Sequence, residues 1–269
     1  MIISASALAR TIESTATALG TDLPKTYAAE LDSARKVVTD SGEIDGHVAS
    51  LNAAAVTAIR ENRDVGADPN VQRFAALVTL AGSGIRQYAV DFANDLIVTA
   101  IAAQADAILT TWSTAITPAC NVLMAAAEQL DVPKLDGAEP LLLKRAGHLN
   151  LWADAVSAAE RADIALVGVR AIFTALHISP GPDYRLLQLA PDASIDQFAG
   201  ANAASGPRDV SAWSTARSLA PLRLVASVSE YTQSCARISA AQQEQARQAD
   251  EAEAKTEGRQ RQRQWARVR

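Results

Sequence analysis

The chain has 269 residues, 49 % hydrophobic and 20 % charged, which is enough apolar chain for a sizeable core and excludes wholesale disorder. Only 4 % are aromatic, so the core must come from Ala, Leu, Val and Ile, and a roomy aromatic-lined pocket is hard to build. The formal charge is −5, yet the last eleven residues (RQRQRQWARVR) carry +5, so residues 1–258 carry −10; such a body excludes attraction to nucleic acid or an anionic membrane except through that tail.

Helical periodicity dominates, and no alternating pattern bounded by hairpin turns competes with it. The expected fold is all-α: a multi-helix bundle with long helices, a Pro-rich irregular segment and a projecting C-terminal helix. Leu8, Ile12 and Leu19 share a stripe, with Ser4 or Ser6 as its cap. Pro24 suits the first turn of a second helix facing inward through Tyr27, Leu31, Ala34 and Val38. After a turn containing His47, Val48, Leu51, Ala55 and Ile59 mark a third helix. Asp68–Pro69 reads as a cap followed by an N1 proline, opening a helix with Val71, Phe74 and Val78 in line.

Gly82–Gly84 breaks the pattern, and a long helix follows from Ile85 to about Leu130, which Pro118 should bend or split near Thr117. Residues 131–140 (DVPKLDGAEP) form the best internal boundary, and Pro140 then opens another long helix that the SPGP at 179–182 stops. Prolines and glycines crowd 179–209, where short helices or turns are expected. The last helix is expected to start near Ser211 or Pro221. Its seam of Val228, Tyr231, Cys235 and Ile238 continues as Gln242, Gln245, Ala249, Ala252 and Thr256, so it should leave the core after about Ala240. These landmarks divide the chain into an N-terminal helical part (1–131), a linker (132–140), a C-terminal helical part (141–240) and an extended helix with a basic tail (241–269).

The start, MIISASALARTIES, has neither a basic region nor a sustained apolar run, so no secretory signal is expected. The two most apolar stretches carry Asp91, Asp95 and Asp106, and Asp163 and Arg170, and read as core helices rather than membrane spans. The expected setting is soluble: cytoplasmic or within an assembled particle. Cys120 and Cys235 are far apart and form no CxxC, so both are expected in the core as small apolar residues.

Chemical motifs are sparse. His47, His148 and His177 lie in neither HExxH nor ExxH, which argues against zincin and di-iron sites. Gly82–Gly84 has no following Lys-Ser/Thr and no preceding strand, so it is not a phosphate loop. Arg170, inside an apolar run, is expected to pair with Asp163 or Glu160, or to lie at a helix or subunit contact. The best acidic pair is DFAND, where Asp91 and Asp95 stand four apart on one helix face. The stretch resembles the Asp-rich helices of all-α terpene and prenyl synthases, which implies Mg²⁺ held against a diphosphate. NDLIVT at 94–99 departs from the second metal motif of those enzymes, and its later Glu is missing. A solvated or helix-capped acidic face is the plainer account of the pair. No catalytic residue, metal or cofactor is therefore expected, and an all-α metal-dependent enzyme using Asp91 and Asp95 is the alternative.

The tail is the distinctive element. If the helix continues past Gly258, Arg259, Arg263 and Arg267 align on one face, and Arg261, Trp265 and Arg269 on another; if the tail is extended, the first three arginines alternate to one side. Such a segment suits an acidic protein partner, including another copy of the acidic body. It also suits nucleic-acid phosphates with Trp265 stacked on a base, or an anionic membrane with Trp265 at its interface. A solvated terminus that complements the helix dipole is the plain account. An acidic helical body with a basic C-terminal segment is similar in layout to some phage scaffolding and virion-assembly proteins. The expected function is a non-enzymatic structural or interaction protein, oligomeric through protein contacts, with nucleic-acid binding through the tail as an alternative.

Overall fold

The computed structural model describes residues 4–42, 47–132, 134–135, 148–178, 182–205, 211–218 and 221–267, with the backbone alone described beyond Glu253. Among these residues the fold is all-α, with nine α-helices and no strand. In chain order they are α1 (Ala5–Leu19), α2 (Lys25–Gly42), α3 (His47–Arg60), α4 (Pro69–Gly82), α5 (Ile85–Gln129), α6 (Leu149–Ala175), α7 (Ile195–Ser205), α8 (Ala212–Arg217) and α9 (Val228–Arg267), with a 3₁₀ segment at Pro182–Gln188.

Two compact units emerge, neither contiguous in sequence. The first gathers residues 1–14, 22–105 and 171–177; the second gathers 15–21, 106–170 and 178–269. In the first, Ser4 caps α1 by accepting from the Ala7 amide at 3.3 Å, and Leu8, Ala9 and Ile12 are buried. Tyr27, Leu31, Ala34 and Ser41 are the buried residues of α2, but Val38, expected on that face, is exposed. Arg35 bridges to Glu13 at 2.6 Å.

The α3–α4 pair departs from expectation. Asp68 does cap α4, accepting from the amides of Asn70 and Val71, with Pro69 at the first helical position. Yet Ala58 alone is buried on α3, and no residue of α4 is. Val48 and Ile59, expected inside, are exposed, Ile59 at 64 %. Val71, Phe74 and Val78 are only half-buried. His47 belongs to α3 rather than to a turn, with its ring 5.6 Å from Phe74.

The second unit holds the densest packing. Trp112, Ile116, Leu123, Ala162, Leu166 and Val169 are almost inaccessible there. A Cβ placed on Gly168 would lie 2.5 Å from Trp112 Cζ3 and 2.6 Å from Thr15 Cγ2, so the missing side chain is what lets a large ring fit an alanine-rich interior. α5 passes through Pro118 without splitting, so of the bend or split expected there the split does not occur. Proline removes one backbone donor and costs a helix interior about 3 kcal/mol. Buried Ile116, Ala119, Cys120 and Leu123 flank it, and their packing outweighs that local cost.

α6 begins at Leu149, with His148 just outside the helix and its carbonyl accepting from the Trp152 amide, so a helix unbroken from Pro140 is corrected. Residues 136–147 lie outside the described set. The helix ends at Ala175, before the SPGP, and His177 there adopts a left-handed φ of 55°. The expected single last helix resolves into two: α8, with a Ser211–Ser214 capping box, and α9, with a non-helical segment at 221–227 before it. Cys120 and Cys235 are buried free thiols, as expected, and burial raises both to about 11.

Candidate interaction segment

The root of α9 is built from polar bonds to a segment that cannot satisfy itself. Residues 221–227 are non-helical, so their backbone groups need partners outside a helix; the amides of Arg223 and Val225 donate to the Leu189 and Gln188 carbonyls. Side chains on α5 serve the carbonyls: Ser113 donates to that of Leu224 at 2.9 Å and Thr110 to that of Ala226 at 3.0 Å. Asp106 accepts from the Val228 amide at 2.8 Å, placing a carboxylate at the positive end of α9. Ser227 accepts from the Glu230 amide, and Glu230 accepts from the Ala226 amide at 2.6 Å. Arg223 joins Glu230 to Asp192 and holds the Asp192 carboxyl below its ordinary range.

Along α9, Tyr231, Cys235 and Ile238 are buried as the seam requires. Arg237 donates to the carbonyls of Pro191 and Ala193, and Tyr184 donates to Gln242 at 3.2 Å. There the packing ends: every described residue from Gln242 to Glu253 is exposed. This matches the expected fading of the seam. The helical backbone nevertheless continues through Gly258 to Arg267. From Gln242 to Arg267 it spans 26 residues, about 39 Å at 1.5 Å each. Arg247, which pairs with Glu244 and Glu251 on the helix's own surface, supports it without tertiary contacts.

Arg259, Arg261, Arg263, Trp265 and Arg267 therefore lie on continuous helix, the first of the two geometries considered, with 259, 263 and 267 in one i,i+4 register; Arg269 lies outside the described residues. The signal for the extension was the run of strong helix formers before Gly258. No sequence signal pointed to the root, because Asp106, Thr110 and Ser113 look like ordinary surface polar residues of a helix.

Asp91 and Asp95 are both exposed, and Asp91 accepts from Gln87 at 2.9 Å. Among the described residues no three His, Cys, Asp or Glu converge in metal-ligand geometry. Among the described residues Arg170 makes no close ion pair with Asp163 or Glu160, although the charges of Arg170 and Asp163 favour each other. Asp163 instead accepts from the Ala212 amide at 2.9 Å, and burial raises its pKa. Burial, and then the nearby Arg185, lower that of Arg170. A shallow groove of about 370 Å³ beside Pro118 and Val122 carries Asp154, Ser157 and Arg161, the last already donating to the Leu19 carbonyl.

Large apolar side chains are exposed mainly on α3, α4 and the first turns of α5: Val48, Val56, Ile59, Leu80, Tyr88 (73 %) and Phe92. Among the described residues α5 is also the one helix long and apolar enough to cross a membrane, although 39 % of its most apolar window is buried within the chain. Compared with known proteins, the chain matches no family model, no curated sequence and no solved structure.

Proposed function

We infer that this chain is a non-enzymatic helical assembly protein, oligomeric, which presents a basic C-terminal segment to an acidic partner. One observation carries the reading. α9 is anchored at its root yet exposed at every described residue from Gln242 to Glu253, so the helix has left the packing before its strongly positive segment begins. A segment that served only its own chain would gain more by folding back onto acidic surface. The exposed apolar side chains of α3, α4 and α5 support the same class of function, since surface of that kind is used for protein contacts. The charge layout shared with some phage scaffolding proteins is consistent with it.

The test compares the full chain with a form lacking residues 259–269, by light scattering and by the absorbance ratio at 260 and 280 nm. A larger molar mass for the full chain, at a protein-like ratio, is expected. Co-purifying nucleic acid, removed by high salt and lost with the tail, would instead favour the nucleic-acid alternative. A monomer free of nucleic acid in both forms sinks both.

A further inference from the structure

We propose that the tail's acidic partner is the exposed half of α9 in a second copy of this chain, the two helices lying antiparallel about a two-fold axis beside Glu257 and Gly258. The proposal rests on the reading above and names its partner.

Charge sets the direction. Within residues 242–257, Glu244, Asp250, Glu251, Glu253 and Glu257 outnumber Arg247 and Lys255, for a net −3, and residues 259–269 carry +5. α9 is therefore electrically two-ended, with both ends on one continuous helix. A parallel pair would set +5 beside +5. An antiparallel pair sets each basic end against an acidic segment, twice over, by symmetry.

The seam fixes the register. Tyr231, Cys235 and Ile238 are used inside the chain's own unit. Continued by alternate steps of four and three, the seam runs 242, 245, 249, 252, 256, 259, 263 and 266. Turning the helix about a point between 257 and 258 places 249 opposite 266, 252 opposite 263 and 256 opposite 259. The seam falls on itself. Ala249, Ala252 and Ala266 on it are small enough for close approach, and position 263, an arginine, meets position 252, which Glu251 and Glu253 flank. The overlap from 249 to 266 covers about 27 Å of helix. The contact is isologous, so it closes at two copies. Having small and charged rather than large apolar residues, it is weak and screened by salt.

The experiment is sedimentation of the full chain, with circular dichroism as the check on folding. Dimerisation weakens by about tenfold or more between 50 mM and 500 mM salt. R259E/R261E/R263E gives monomer, D250K/E251K/E253K gives monomer, and a chain carrying both sets dimerises again. Copies bearing Ala249→Cys cross-link to copies bearing Ala266→Cys on mixing, and neither cross-links to itself. Self-cross-linking of Ala249→Cys copies, failure of the double reversal to restore the dimer, or an oligomer indifferent to either reversal overturns the pairing. If the full chain is monomeric but binds a fluorescent poly-glutamate peptide through its tail, the second copy and the oligomeric reading are wrong, and only the basic segment's preference for an acidic partner survives. If it binds neither, both fall.

Discussion

Replacing Gly168 with alanine tests the close packing of the second unit. The new Cβ would stand 2.5 Å from Trp112 Cζ3 and 2.6 Å from both Trp112 Cη2 and Thr15 Cγ2. Carbon atoms sit comfortably at roughly 3.5–4 Å, so each neighbour must retreat by about 1 Å. Trp112 is 1 % exposed and its ring is rigid, so the retreat must be shared by the surrounding helices. Overpacking of this kind costs about 1–3 kcal/mol, while alanine's better helix propensity returns about 0.5–1. Gly200→Ala is the control: it is also helical, but nothing lies within 4 Å of its added Cβ, so only the propensity gain applies. Urea denaturation of the two variants isolates the clash as their difference, expected at about 1–3 kcal/mol with Gly168→Ala the less stable. Equal midpoints would refute the argument that glycine is there to admit the tryptophan.

Asp163→Asn keeps an acceptor for the Ala212 amide and removes a buried charge, so it is expected to be neutral or stabilising, whereas Asp163→Ala should cost about 1–2 kcal/mol in thermal melts. Because burial raises the folded pKa of Asp163 above its unfolded value, its contribution to stability improves as pH falls through that folded pKa; this part of the pH dependence should vanish in Asp163→Asn. Cys120 and Cys235, raised to about 11, should resist a thiol reagent at pH 7.5 in the native protein and both react in denaturant; rapid native labelling would contradict their burial. Asp68→Ala should lose about 1–2 kcal/mol by uncapping α4 and leaving Arg63 without its buried carboxylate partner, with Asp68→Asn losing less; equal loss would put the effect on charge alone.

Local rules read well wherever they governed. Asp68–Pro69, Ser4 and the fading seam of α9 are short-range patterns, and each stands where spacing and capping place it. Tertiary choices were not legible. Val48 and Ile59 carry the same stripe as residues that are buried elsewhere, and nothing in a stripe says whether a neighbour covers it. Pro118 announces a bend or a split, and the packing on either side prevents the split. The non-helical 221–227 segment was invisible because its side-chain partners on α5 lie more than a hundred residues away in sequence, on a helix whose serine and threonine look unremarkable. The interaction segment itself was legible by charge, and its continuous helix was one of two geometries the composition allowed.

The interleaving of the two units has a consequence for synthesis. A ribosome delivers residues 1–105 first, but the first unit also needs 171–177, the last turns of α6. The first unit to be mostly made is therefore not the first that can close. Residues 15–21 emerge early and must wait for partners from 106 onward. During that interval the apolar stripes of α1 and α2 stand uncovered, which exposes the nascent chain to the hazard of slow, non-local closure. A stalled chain ending near residue 150 should accordingly be protease-sensitive throughout, and one extended past 177 the first in which residues 1–105 become protected.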